Sequence, residues 1–303
     1  MKRQTTTSQL KRHQNIWGRI FVLPAILFFS LFSFYPIISA MYTSLFKKKV
    51  LSLNPPEFIG LQNYIYLLSS ADFWNSIRAT VVFTIGTFIP LLLFSLLLAA
   101  LISQVKYGRK FLQMAYYSPA VLSSIVAAAI WLLIFDPRGL ANQWINFVLQ
   151  TPGIDHSWFA NPYMVQLATM LVYFWKYVGY FVIIFIAGIA SIPMALYEAA
   201  RIDGASSWQS FWRITMPLLR PTVVLVSVMS MLQCLKTFST QYLFTQSGAP
   251  QAPINVITMN IYNTGIRDHR IGRASAMSVI LFLIMLFFTW LQFKTSKSDE
   301  VTY

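Results

Sequence analysis

Lys176 and Lys236 each interrupt a stretch otherwise free of Asp, Glu, Lys and Arg, His156 to Tyr197 in the first case and Pro221 to Ile266 in the second. A lysine at the centre of a membrane helix costs about 2.5 to 3.5 kcal/mol on insertion scales, so both should face a cavity or a partner side chain and not lipid. Their neighbours are polar at helical spacing. Tyr173, Lys176, Tyr177 and Tyr180 fall at i, i+3, i+4 and i+7, one stripe on an otherwise Ile/Val/Phe helix. Ser230, Gln233, Cys234 and Thr237 repeat that spacing, with Lys236 on the shoulder of the stripe. If the two helices start near Tyr163 and Pro221, both lysines lie near mid-membrane. Aromatic rings beside donors and acceptors suit a sugar, whose apolar ring face stacks while its hydroxyls are hydrogen-bonded. Two unpaired cations with no acidic residue on the same helices also suit an anionic solute. The plainer alternative is that the tyrosines and the glutamine hold helices together, with Lys176 in a cation–aromatic or interhelical contact beside Trp175.

Other chemistries lack their residues. No G-x-x-x-x-G-K-[ST] loop occurs in the 303 residues, so any energy from nucleotide hydrolysis must enter through another subunit. His13, His156 and His269 are far apart and Cys234 has no nearby histidine, which argues against a metal site and against Cys–His catalysis. Arg267-Asp268-His269-Arg270 reads as a solvated outer loop, with contact to an extracellular binding protein as the alternative.

Composition supplies the elements that must carry these stripes. The chain is 56% hydrophobic and only 11% charged, far below the roughly quarter-charged average of soluble domains. Charge-free windows run from Ile20 to Phe46, Ala79 to Val105, Phe111 to Phe135 and Ala274 to Phe293, each close to or above the about 20 residues that a crossing needs. With the two lysine-bearing windows they predict six membrane helices. The first window is too long, and ends too unlike a small-residue cleavage site, to read as a removable signal peptide. Continuous apolar runs rather than alternation exclude a β-barrel. An even number of crossings puts both termini on one side. With the termini inside, thirteen basic residues fall in inner segments and eight in outer ones, the Lys47 to Lys49 triplet among the latter, so the positive-inside rule favours cytoplasmic termini. The formal charge of +14 therefore reads as membrane topology and not as a nucleic-acid footprint.

The connections are short. Asn54-Pro55-Pro56 is a turn signal, and Phe58, Leu61, Tyr64 and Leu67 at helical spacing predict a short amphipathic outer helix. Asp136-Pro137-Arg138-Gly139 opens a second outer segment. The informative loop is internal, from Ser191 to Pro221. Pro193 suits a helix start, Met194 to Asp203 contains no breaker, and Gly204 is a C-terminal stop. Ser206 and Gln209 have capping-box spacing, predicting a second helix to about Thr215 before Pro217 and Pro221 break the path back to the membrane. Leu196, Ala199, Ala200 and Asp203 share one narrow face of the first helix, open to close approach by another backbone or to lying on lipid.

Tyr197-Glu198-Ala199-Ala200-Arg201-Ile202-Asp203-Gly204-Ala205, continuing to Ile214-Thr215-Met216-Pro217, resembles the signature cytoplasmic loop of permease subunits of bacterial ABC importers; Met216 stands where leucine is usual. Leu23-Pro24-Ala25, Tyr35-Pro36, Phe58-Ile59-Gly60-Leu61-Gln62-Asn63-Tyr64, Tyr117-Ser118-Pro119 and Trp131 through Asn142 resemble the sugar-type branch, the maltose and glycerol-phosphate class, and the first of its two paired permease types. Thr245-Gln246-Ser247-Gly248-Ala249-Pro250 departs from the usual glycine-rich turn ending in proline. The resemblance implies an all-α, six-helix type I importer permease in the bacterial inner membrane: a cytoplasmic tail over 1–16, a permease domain over 17–295 with its coupling loop at about 191–220, and a second tail over 296–303. It implies that Leu196, Glu198, Ala199, Ala200, Asp203, Gly204 and Ala205 dock into an ABC ATPase dimer. It places solute contacts on the fourth and fifth spans, at the two stripes. The implied partners are a homologous second permease, the ATPase, which alone holds ATP and Mg²⁺, and an extracellular or periplasmic solute-binding protein, so the chain itself binds no cofactor. A stand-alone facilitator or membrane enzyme with its site among the same tyrosines is the alternative, but such a protein has no need of a docking loop.

Overall fold

Long apolar helices, most begun by a side-chain cap or a proline, make up nearly all of the computed structural model, which describes residues 17–49, 55–156 and 158–297. The expected N-terminal tail with its basic residues and His13, Asn54 of the expected turn, and the tail from 298 onward lie outside the described residues. In chain order the elements are α1 (Trp17–Ser44), β1 (Phe46–Lys47), β2 (Glu57–Phe58), α2 (Gln62–Ser69), α3 (Ala71–Gln104), α4 (Arg109–Val121), α5 (Ser124–Ile134), α6 (Leu140–Leu149) and α7 (Pro162–Ala190). They continue with α8 (Met194–Ile202), α9 (Met216–Leu235), α10 (Ser239–Gln246), α11 (Gln251–Ile254), α12 (Ile257–Tyr262) and α13 (Ile271–Lys297).

Among the described residues five runs, Trp17–Ser44, Ala71–Gln104, Pro162–Ala190, Ser207–Gln246 and Ile271–Thr295, are long and apolar enough to cross a bilayer, and α4 with α5, bent by 99° at their break, makes six if the pair is one span. The expected third crossing falls on this bent pair. Leu122 and Ser123 are extended, at ψ 144° and 150°, and Ser123 restarts the helix by accepting from the Val126 N–H at 3.2 Å.

Prolines at the start of the fifth span do not end it, contrary to expectation. The short helix Ser207–Ser210 runs through a π turn, Phe211–Thr215, directly into α9. The Met216 N–H bonds back to the Phe211 carbonyl, and Pro217 follows at once. In α1 the π turn Ser30–Phe34 likewise delivers the chain to Tyr35-Pro36. The extra residue of a π turn moves the preceding carbonyls out of the path of the proline ring, whose missing N–H would interrupt an ordinary α ladder. The short outer helix also starts later than its spacing suggests. Phe58 lies in β2, antiparallel to β1 with Phe46 opposite, and α2 begins at Gln62 after Ile59 N–H has bonded to Leu45 O at 3.0 Å.

The chain divides into two units, described separately. One comprises the described residues through Ser69 together with Ile261–Ile280. In it Asn63 donates to the carbonyls of Ser44 (2.7 Å) and Phe46 (3.1 Å), fixing α2 to the end of α1. The other comprises Ser70–Asn260 and the described residues from Leu281 onward. Its core joins α3, α7 and α9 through Leu91, Phe181, Phe185, Leu219 and Val226, all fully buried. A second cluster gathers Phe135, Trp158, Val165 and Phe244. Gly179 lets α7 touch the α4 backbone, since a Cβ there would stand 1.8 Å from the Tyr116 carbonyl oxygen.

Candidate functional site: an exposed loop helix and two polar stripes

The loop helix α8 begins at Pro193 without a side-chain cap and ends in a complete Schellman turn. Gly204 takes φ +76°, its N–H bonds to Arg201 O at 3.1 Å, and the Ala205 N–H reaches Ala200 O at 2.8 Å. A side chain at position 204 would be strained in this left-handed conformation. The next turn carries a full capping box: Gln209 N–H donates to Ser206 Oγ at 3.3 Å, and Ser206 N–H to Gln209 Oε1 at 2.8 Å. Between these stops Leu196, Glu198, Ala199, Asp203 and Gly204 are exposed, while Ala200 and Ala205 are half-buried. The helix presents a free face instead of packing into its own chain.

One contact ties that free helix to a span. Tyr197 Oη and Thr215 Oγ1 are 2.8 Å apart, and Thr215 is buried at the close of the π turn that leads into α9. The tyrosine was visible in the motif, but its partner is 18 residues away, so spacing alone did not pair them. Trp208 lies within the box and Trp212 one turn beyond, 70% and 50% exposed with ring centroids 5.6 Å apart. Their i, i+4 spacing is the signal that the sequence carries for this pair.

The fourth-span stripe faces inward. Tyr173 and Lys176 are buried, and Tyr177 and Tyr180 half-buried. Tyr173 meets Phe83 edge-on at 5.3 Å and Tyr177 at 4.5 Å. Lys176 Nζ donates to Leu122 O at 2.8 Å and lies 4.7 Å from the Tyr177 ring centroid. Through this interhelical contact Lys176 meets a carbonyl at the break between α4 and α5.

The fifth-span stripe is helical only through Cys234, because α9 ends at Leu235. Ser230 and Cys234 are fully buried and Gln233 half-buried, with Ser230 Oγ bonded back to Val226 O at 2.7 Å. Lys236 and Thr237 fall in the interruption before α10. Lys236 is therefore not a mid-helix lysine; it is exposed, at the end of a helix. Thr237 Oγ1 donates to Gln241 Oε1 at 3.0 Å, and the Thr237 carbonyl accepts from Thr258 Oγ1. Gln241 Nε2 and Gln233 Oε1 are buried with no hydrogen-bond partner, so the interruption gathers polar atoms whose bonding is incomplete. Gln241 was missed in the sequence, although it follows Thr237 at i+4. Tyr173 and Cys234 share one core cluster, which brings the two stripes together.

Against known proteins, residues 79–294 match the family described as binding-protein-dependent transport system inner membrane component. The chain belongs to this family. This permease is 31% identical over 94% of its length to the probable starch degradation products transport system permease protein of Thermoanaerobacterium thermosulfurigenes, covering 96% of that protein. It is 30% identical over 96% of its length to the trehalose/maltose transport system permease protein of Thermococcus litoralis, covering 97% of it. Two crystal structures share its fold. A bacterial ABC transporter involved in the import of the acidic polysaccharide alginate matches with TM-score 0.82 at 24% identity, over 98% of this chain and 99% of that one. The alginate transporter in complex with an alginate pentasaccharide-bound periplasmic protein matches with TM-score 0.80 at 23% identity, over 96% of each. The permease is thus an inner-membrane transport subunit, not an enzyme, and the stand-alone alternative finds no support among these likenesses.

Proposed function

We propose that this permease forms half of the translocation pathway of an ATP-driven importer for a mono- or oligosaccharide delivered by an extracellular binding protein. The exposed α8, closed by its Schellman turn and bonded through Tyr197 to the base of the fifth span, carries the reading. Leu196, Glu198, Ala199, Ala200, Asp203, Gly204 and Ala205 form the surface that docks into an ABC ATPase dimer, on which ATP and its Mg²⁺ act. Both termini lie in the cytoplasm, the transport domain covers 17–295, and a homologous second permease completes the pathway. Two relatives named for starch products and for trehalose and maltose support the carbohydrate class.

Within the pathway the interruption at Lys236 and Thr237 is the solute-contacting part of the stripes. Lys236 is exposed and Gln233 and Gln241 have open bonding capacity, so sugar hydroxyls could complete it. Tyr173, Tyr177, Tyr180, Ser230 and Cys234 shape its wall, and Lys176 serves from behind by holding the third span. Co-expression tests the assignment. The chain alone should give no ATP-dependent uptake and the assembled complex should, while Glu198→Lys combined with Gly204→Pro should abolish recovery of the ATPase with the permease. A stable ATPase complex from that double variant would sink the docking surface.

A further inference from the structure

A concave basic site lies in the first unit, remote in sequence from α8 and the stripes. Lys47, Lys48 and Lys49 follow the end of α1, and Arg270 and Arg273 stand at the start of α13. These five cations, with Tyr66 among the other lining residues, enclose a cavity of about 370 Å³, and none of the described residues lining it is acidic. Glu57 pairs with Lys47 at 3.6 Å. The Arg273 guanidinium sits 3.5 Å from the Tyr66 ring centroid; seated on a ring face, a guanidinium keeps its in-plane N–H donors free for an anion. The cleft is held by backbone: Gly272 N–H bonds to Lys48 O at 3.3 Å, and Asn63 ties the chain between α1 and β1 to α2.

The position of the cleft identifies its ligand. It lies where one apolar span ends and another begins, the depth at which lipid phosphates sit. Directly preceding it on α1, Ile38, Met41 and Tyr42 are exposed, and no residue of the apolar window of α1 is buried. Cations at the rim with an apolar wall beside them complement a molecule carrying a phosphodiester on acyl chains. A free phosphate would use the cations and leave the wall bare, and a flat acidic protein surface would not enter the concavity. We propose that this cleft binds the headgroup of an anionic phospholipid from the leaflet at which α1 ends. The inference needs only a membrane-spanning chain and is independent of which solute is carried.

Native mass spectrometry of the full chain in neutral detergent, titrated with phosphatidylglycerol or phosphatidylcholine, tests this. Phosphatidylglycerol should be retained preferentially, and Lys48→Gln with Arg270→Gln should weaken its binding about thirtyfold without changing phosphatidylcholine binding. Lys48→Arg with Arg270→Lys should preserve the preference. If the glutamine variant fails to fold, raising ionic strength on the unaltered chain should weaken phosphatidylglycerol retention. Equal retention of the two lipids, full retention by the glutamine variant, or indifference to salt would each overturn the proposal. So would displacement by an equal concentration of inorganic phosphate, which would make the site a free-anion site. Loss of binding-protein association with unchanged lipid retention in the glutamine variant would reassign the patch to an acidic protein partner.

Discussion

Lys176 donates from Nζ to the Leu122 carbonyl across two helices, so the bond is a structural one and its removal should be read in stability. Lys176→Met leaves that carbonyl unpaired in an apolar setting, a loss of about 1 to 3 kcal/mol, expected as a lower unfolding temperature of the detergent-purified chain. Lys236→Met should leave unfolding unchanged and instead alter relative uptake of neutral and acidic forms of a sugar; equal uptake of both before and after substitution would remove Lys236 from the pathway. Both lysines were legible as exceptions in charge-free windows. Their different uses were not, because one depends on a carbonyl 54 residues earlier and the other on where a helix stops.

The elements repeat this division. The charge-free windows yield the spans because a bilayer demands long apolar helices, and Gly204 and the Ser206–Gln209 pair mark the bounds of the internal loop because helix ends have local residue requirements. The bend between α4 and α5 and the π turn that admits Pro36 lie within uninterrupted apolar sequence, and the π turn before Pro217 lies in a loop whose prolines read as breaks, so no periodicity reports them. Two substitutions examine how the elements work together. Gly179→Ala places a Cβ against the Tyr116 carbonyl and should separate α7 from α4 at an overpacking cost of about 1 to 3 kcal/mol, measured as reduced recovery of folded chain. Tyr197→Phe removes only the Thr215 contact. The ATPase should still co-purify while solute carried per ATP hydrolysed falls; an unchanged ratio would show that α8 drives the fifth span without this bond.

For the permease as a whole, the basic residues that outnumber the acidic ones, 23 against 9, predict an orientation that labelling tests. With Cys234 replaced by serine, a cysteine introduced near the N-terminus should react with an impermeant thiol reagent only in inside-out vesicles, and Lys49→Cys only in right-side-out ones. The reverse pattern would invert the topology and move α8 away from the ATPase. The break between α4 and α5 has a further consequence. Its halves, 13 and 11 residues long, are each shorter than the about 20 residues that a lone helix needs to cross, and the lysine that closes the break is made 54 residues after the carbonyl it holds. The break is therefore secured by a residue of the following span, and a chain that stops before Lys176 lacks the contact that closes it.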